Sequence, residues 1–96
     1  MEPTVRDVPE AERYEIRDGE QLLGHADYER RGDTVLFTHT EVDQDSGRSG
    51  LGSTLVRAAL DDVRAQGGSV VPLCSFVRSW IERHDDYADL VAAPRH

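Results

Sequence analysis

The sequence predicts a mixed α/β fold: a three-stranded antiparallel meander, then a helix, a parallel strand and a second helix. Residues 13–42 carry short alternating or β-branched apolar runs separated by turn sequences. An amphipathic helical pattern begins at Leu51. A further apolar run, Ser69–Leu73, follows that helix, and a strand–helix–strand order favours a right-handed crossover onto a parallel neighbour.

The meander consists of three predicted strands, Arg13–Arg17, Leu22–Arg30 and Thr34–Val42. The first connection contains Asp18-Gly19, which is a favoured hairpin turn. The second is "RRGD", whose glycine can adopt a positive φ. The third strand is rich in β-branched and aromatic residues, which are typical of strands.

The two predicted helices differ in how they begin and end. The first begins at Leu51 and ends at Gly67-Gly68, as glycine suits a helix C-cap. Its apolar stripe consists of Leu51, Leu55, Val56, Ala59, Leu60 and Val63. Ser75 is predicted to cap the second helix. The apolar face of that helix carries Phe76, Val77, Trp80 and Ile81, and the predicted packing anchors after it are Tyr87, Leu90 and Val91.

Length and composition limit the functions that the chain can have. The 96 residues predict one domain, 1–96, and the polar stretch 1–12 with its two prolines predicts a weakly ordered start. The net charge of −8 and the pI near 4.8 argue against a nucleic-acid partner and favour cationic ones, such as amines or basic peptides. There is no membrane-length apolar run and no signal-peptide pattern. With Cys74 as the single cysteine, these features predict a cytoplasmic protein without a disulfide.

A glycine-rich stretch, "DSGRSGLGS", directly precedes the first predicted helix. Its glycines are Gly47, Gly50 and Gly52. Amides at a helix N-terminus and the helix dipole favour an anion, and glycines let a phosphate approach the backbone. Arg48 would add a cation, and Ser49 and Ser53 could donate hydroxyl hydrogen bonds. The alternative is a flexible loop that only turns the chain.

Two common phosphate-binding motifs do not fit this stretch. A Walker A loop needs lysine after its last glycine, but Ser53 follows Gly52 and all 11 basic side chains are arginine. In the dinucleotide fingerprint, Leu55 occupies the position of the third glycine. An NTPase and a dinucleotide-binding enzyme are therefore both disfavoured.

The series "HTEV", "GRSGLGSTLVRAAL", "VVPLC" and "RHDDYADLV" resembles the short stand-alone members of the GNAT superfamily of acyl-CoA-dependent N-acetyltransferases. The resemblance covers most of residues 39–91. Gly50-Leu51-Gly52 matches the second half of the family's pyrophosphate motif, Gln/Arg-x-x-Gly-x-Gly/Ala. The first position of that motif falls on Gly47, and Arg48, one residue later, is a candidate for the missing charge.

The resemblance implies acetyl-CoA as cosubstrate and a primary amine as acceptor. It also implies that amides of the loop hold the CoA pyrophosphate, that the third strand lies beside the pantetheine arm, and that the third and fourth strands splay around the thioester. The implied cofactor-binding residues are Val42, Gly47, Arg48, Ser49, Gly50, Leu51, Gly52 and Ser53.

Amine acetylation needs a base, donors for the oxyanion and an acid for the leaving thiolate. Glu41 and His39, two apart on one strand, are candidate bases, the alternative being a solvated glutamate and a structural histidine. Cys74, just before a helix, could protonate the thiolate or take the acetyl group, or be a small apolar packing residue. Many GNAT enzymes use a tyrosine on the following helix as the acid, where this chain has Trp80; Tyr87 is a distant substitute or a packing residue.

The histidines show no metal-ligand spacing with one another or with Cys74, so no metal is predicted. Three functions remain open from the sequence: an N-acetyltransferase, a CoA-binding module with little catalysis, and an interaction domain without a cofactor. A monomer and a homodimer are both compatible with the sequence.

Overall fold

The computed structural model describes residues 3–43 and 50–92 and contains a five-stranded mixed sheet with strand order β1-β2-β3-β4-β5. The strands are β1 (Thr4–Val8), β2 (Arg13–Asp18), β3 (Gln21–Arg31), β4 (Thr34–Val42) and β5 (Ser69–Pro72). Neighbouring strands β1 to β4 pair antiparallel, and β5 pairs parallel with β4. The predicted meander and parallel strand are therefore confirmed.

The helices are α1 (Leu51–Ala65) and α2 (Ser75–Glu82), with 3-10 segments at Pro9–Ala11 and Asp85–Leu90. Helix α1 connects β4 to β5, so the predicted strand–helix–strand unit is confirmed. The chain reverses after α1 at Gly67, whose φ of +75° is the left-handed conformation that glycine adopts readily. The mixed α/β fold class predicted from the sequence is thus the fold of the protein.

The prediction of a weakly ordered start over residues 1–12 is wrong for Thr4–Ala11. Strand β1 pairs with β2 along its whole length, from Thr4 opposite Arg17 to Val8 opposite Arg13. Only Val8 of β1 is buried, because the strand lies at the edge of the sheet and carries the charged pair Arg6-Asp7 between its two valines. Such a strand is stabilised by backbone pairing and gives a weak hydrophobic signal.

One hydrophobic core lies between the sheet and the two helices. It includes Tyr14, Phe37, Leu55 and Trp80, each with no more than 1% of its surface exposed. The opposite face of strands β2 to β4 is polar. Its side chains include Arg13, Glu15, Arg17, His25, Asp27, His39 and Glu41. The two faces of β4 therefore offer different chemistry at the same point of the sheet.

Two helix-level predictions need correction. Cys74, with extended backbone angles, is the N-cap of α2, and Ser75 is its first helical residue rather than the cap. Phe76 and Val91, predicted as packing residues, each keep 38% of their surface exposed. Val91 forms a backbone bridge to Val70 at the edge of the sheet, so its main chain rather than its side chain makes the contact. Tyr87 and Leu90 are buried as predicted.

Candidate active site

A cleft of about 320 Å³ opens at the N-terminus of α1. Its lining residues are Val42, Asp43, Gly50, Leu51, Gly52, Ser53 and Phe76. Gly50 is the N-cap with a φ of +76°, and the amide of Thr54 donates to its carbonyl oxygen. The amides just before Thr54 belong to the helix end that has no intrahelical acceptors, and the positive end of the helix dipole faces the same way. The cleft can therefore receive an anionic group.

Phe76 explains why position 52 is glycine. A Cβ atom at Gly52 would lie 2.4 Å from the phenyl Cζ of Phe76. The ring packs directly on the α1 backbone, which is why this α2 residue is partly exposed at the cleft instead of buried in the core. Of the predicted cofactor-binding residues, Val42, Gly50, Leu51, Gly52 and Ser53 meet in this cleft, whereas Gly47, Arg48 and Ser49 lie outside the described residues.

Strands β4 and β5 separate beside this cleft. Their parallel pairing runs from Thr34 opposite Ser69 to Phe37 opposite Pro72, and the Cys74 amide then donates to the Phe37 carbonyl at 2.9 Å. Strand β4 continues to Val42 without a further β5 partner in the described chain. A bulge in β4, marked by a register shift against β3 between Asp27 and Tyr28, lies where the separation begins. This is the splay that the family resemblance implies.

Cys74 lies at the vertex of the splay. Its Sγ is 3.4 Å from the Thr40 Oγ1, and the side chain is only partly exposed. Burial raises the pKa of the Cys74 thiol, but the Thr40 hydroxyl and the nearby backbone N–H groups of Val77 and Phe76 at the start of α2 favour the thiolate and outweigh it, so the net pKa is lowered. A thiol with a lowered pKa is a better acid and forms the nucleophilic thiolate more readily.

Thr40→Val is expected to raise the pKa of Cys74, because it removes the hydroxyl that donates to the thiolate and keeps the side-chain shape. The pH dependence of iodoacetamide alkylation at Cys74, the single cysteine, measures this pKa directly. The midpoint should move to higher pH in the variant. Thr38→Val is the matched control, since the Thr38 hydroxyl donates to the Asp27 carbonyl instead. Equal midpoints in wild type and Thr40→Val would contradict the assignment.

The other face of β4 carries a cluster of histidines and carboxylates. The Glu41 Oε2 lies 3.5 Å from Nε2 of both His39 and His25, and the His25 Nδ1 lies 3.0 Å from the Asp27 Oδ1. The two imidazole centroids are 6.3 Å apart. Within the described ranges no three histidine, cysteine or acidic side chains are placed to hold a metal ion. The cluster can instead accept and pass a proton.

Glu41 and His39 were candidates from the sequence, and the structure brings them together. His25 and Asp27 were missed, because their cross-strand partners depend on the bulge. Without it, the pairing of Tyr28 with Phe37 would continue so that His25 faced Thr40; the bulge instead places His25 opposite Glu41. The sequence signal for this cluster was the alternation of polar residues in both β3 and β4.

Tyr87 is a packing residue. Its side chain is buried, and its hydroxyl donates to Asp61 at 2.7 Å and accepts from Arg57 at 3.3 Å. The hydrogen bond to Asp61, burial and the charge of Asp61 raise the pKa of Tyr87. Its hydroxyl is therefore committed to the α1 surface, and the structure assigns it no place in the cleft.

The fold and the cleft define a GNAT-type domain: a mixed sheet that splays at β4 and β5, next to a glycine-capped helix N-terminus. A family model described as GCN5-related N-acetyl-transferase matches residues 13–90. The chain belongs to that family of acetyltransferases. This match covers the sheet from β2 onward, both helices and every residue of the cleft.

Comparison with solved structures gives the same fold. The NMR structure of a GCN5-like protein from Staphylococcus aureus superposes with a TM-score of 0.71 at 22% identity, covering 97% of this chain and 91% of that one. Comparison with curated proteins gives no significant match. Among the described residues, no helix has the length and apolar character needed to cross a membrane.

Proposed function

We propose that this protein is an acetyl-CoA-dependent N-acetyltransferase that transfers the acetyl group to a primary amine. The cleft at the α1 N-terminus would hold the CoA pyrophosphate through the predicted Gly47–Ser53 segment. The observation that carries the proposal is the continuity of this cleft with the splay: Val42 and Phe76 line the cleft, while Thr40 and Cys74, each two residues away, meet at the vertex. Family membership supports acyl transfer in general.

The two faces of β4 suggest how the reaction is divided. The acceptor amine would approach over the polar face, where Glu41, backed by His39 and His25, takes its proton. The neutral amine attacks the thioester carbonyl, and a tetrahedral intermediate forms. Its collapse breaks the carbon–sulfur bond, and Cys74 on the opposite face protonates the departing CoA thiolate. The attacking nitrogen carries a surplus proton in the intermediate, and it loses that proton as the neutral amide forms. This proton returns to the Cys74 thiolate through solvent, and Glu41 releases its own proton to solvent, so the products are the amide and the CoA thiol.

The acceptor proposed is cationic in its resting form. The chain carries a net charge of −8, and Asp27 and Glu41 add local negative charge beside the histidines. Such a surface attracts ammonium groups before they are deprotonated. Small amines, polyamines and basic peptides share this chemistry. We also propose a cytoplasmic location, because a reactive free thiol at position 74 needs a reducing compartment.

Titration calorimetry with CoA and acetyl-CoA tests the binding half of the proposal. Saturable binding of both is expected, together with a raised melting temperature. Mass spectrometry of mixtures with acetyl-CoA and propylamine, spermidine or an arginine- and lysine-rich peptide tests the transfer. Acetylated amine supports the enzyme. Failure to bind CoA in calorimetry and in melting would overturn the whole proposal.

A CoA-binding module with little catalysis is the second candidate. The observation that favours it is the exposed polar face of β4, where Glu41 keeps 69% of its side chain exposed and the described chain supplies no cover. Tight CoA binding without acetylated product from any of the three acceptors would select this alternative.

A further inference from the structure

Trp80 connects the core to the cleft. Only 1% of its surface is exposed, yet its indole Nε1 donates a 2.8 Å hydrogen bond to the Ser53 Oγ on α1. An indole nitrogen is a donor only, so the Ser53 oxygen must be the acceptor. It is also the single tryptophan of the chain.

The indole is held in place by contacts that do not involve Ser53. The His84 ring stacks on it at 3.7 Å with an interplanar angle of 10°, and the Tyr87 ring meets it edge-on at 5.0 Å. The Arg57 guanidinium lies 5.2 Å from the indole centroid. His84 is itself fixed, because its Nδ1 lies 2.6 Å from the Trp80 carbonyl oxygen. The donor therefore has a set direction, whatever occupies the cleft.

This donor constrains the Ser53 hydroxyl. One lone pair of the oxygen is occupied by Trp80, so the hydroxyl hydrogen must point elsewhere. Within residues 3–43 and 50–92 the Ser53 hydroxyl accepts from Trp80 and donates no side-chain hydrogen bond of its own, and Ser53 lines the cleft as the third residue of α1. At this position a side chain leans toward the helix N-terminus. The hydrogen is thus available to an acceptor in the cleft.

We propose that Trp80 is a positioning residue, which holds the Ser53 hydroxyl so that it donates to a phosphate oxygen in the cleft. The proposal rests on the proposed function, which supplies the CoA pyrophosphate as the acceptor. An unanchored serine would also rotate to its own backbone or to water, so the anchor reduces the freedom lost on binding. The indole dipole also makes the hydroxyl a stronger donor through hydrogen-bond cooperativity.

A double-mutant cycle with CoA as the probe tests the proposal. Trp80→Phe keeps an aromatic ring and removes the donor, and Ser53→Ala removes the relayed hydroxyl. Ser53→Ala is expected to raise the Kd for CoA about ten-fold or more, the equivalent of one hydrogen bond to a charged group. Trp80→Phe is expected to raise it about three- to ten-fold, because the hydroxyl remains but is no longer held in place. The double variant should be no weaker than Ser53→Ala, because Trp80 acts only through Ser53. Trp80→Phe binding as tightly as wild type, or effects that multiply, would overturn the proposal.

Wild-type fluorescence provides a second test that does not depend on a folded variant. CoA should change the fluorescence emission of Trp80, and the midpoint of that change should equal the calorimetric Kd. The reason is that the phosphate would bind the Ser53 hydroxyl, which accepts the hydrogen bond of the Trp80 Nε1. Pantetheine, which lacks the pyrophosphate, should leave the emission unchanged. Calorimetric CoA binding with constant emission would overturn this inference alone, whereas absence of CoA binding in wild type would overturn the proposed function with it.

Discussion

Replacing Gly50 or Gly52 with valine is expected to weaken CoA binding at least about a hundred-fold. The loss corresponds to two or more charge-assisted hydrogen bonds from backbone amides, each worth about 1.5–3 kcal/mol. The two glycines reach this result by different routes, because only one of them touches another part of the protein. Calorimetry with CoA measures the effect.

Glycine is required at position 50 because of its backbone conformation and because a side chain there would obstruct the ligand. Its φ is +76°, and a Cβ there would have no protein atom within 4 Å. Valine would therefore be strained by its backbone angles and would project into open space beside the cleft. Gly32→Val is the matched control, since Gly32 has a φ of +60°, equally open surroundings and a place in the β3–β4 turn. Similar destabilisation with intact CoA binding is expected there.

Glycine is required at position 52 also because the Phe76 ring occupies the space that a side chain would need. A Cβ would force the phenyl ring away from the helix, and the displaced ring or the new side chain would enter the cleft. Gly52→Ala combined with Phe76→Ala separates the two causes. We expect this double variant to remain defective, because the phosphate still needs the exposed backbone. Recovery of CoA binding would show that glycine is needed only to seat Phe76.

The fold could be predicted because its signals are local. Alternation marked β2 to β4, the apolar stripe marked α1, and glycines marked the turns, so the predicted elements agree closely with the observed ones. Strand β1 was not predicted, because its two valines flank an adjacent charged pair and give no alternating pattern, and the strand depends on backbone pairing with β2. Phe76 was misassigned because two positions of the apolar face of α2 face different surroundings, the core at Trp80 and the cleft at Phe76.

The candidate site was only partly predictable. The glycine motif and family pattern located the cleft, but the contact between Cys74 and Thr40 depends on the parallel register of β4 and β5. The Trp80–Ser53 hydrogen bond joins two helices, and no local pattern encodes it. Each of these contacts joins residues far apart in sequence. It is these contacts that make the glycine-rich stretch part of a binding cleft and not only a turn.

Cys74→Ala is expected to slow acetyl transfer by about a hundred-fold or more while leaving the Kd for CoA within about two-fold. The physical reason is the loss of the proton donor for the leaving thiolate, since a positioned general acid contributes about 10²–10⁴-fold. Binding should persist, because Cys74 lies at the splay and does not line the cleft at α1. The measurement is kcat with the best acceptor found, alongside calorimetry with CoA.

The two roles open to Cys74 give different results with acetyl-CoA alone. If the thiol takes the acetyl group, wild type gains one acetyl mass at Cys74 without an acceptor and shows ping-pong kinetics. If it only protonates the thiolate, no acetylated protein accumulates, and direct transfer requires both substrates together. The partial burial of Cys74 and its hydrogen bond to Thr40 favour the acid role. Full activity of Cys74→Ala would remove the thiol from the reaction and leave it as a packing residue at the N-cap of α2.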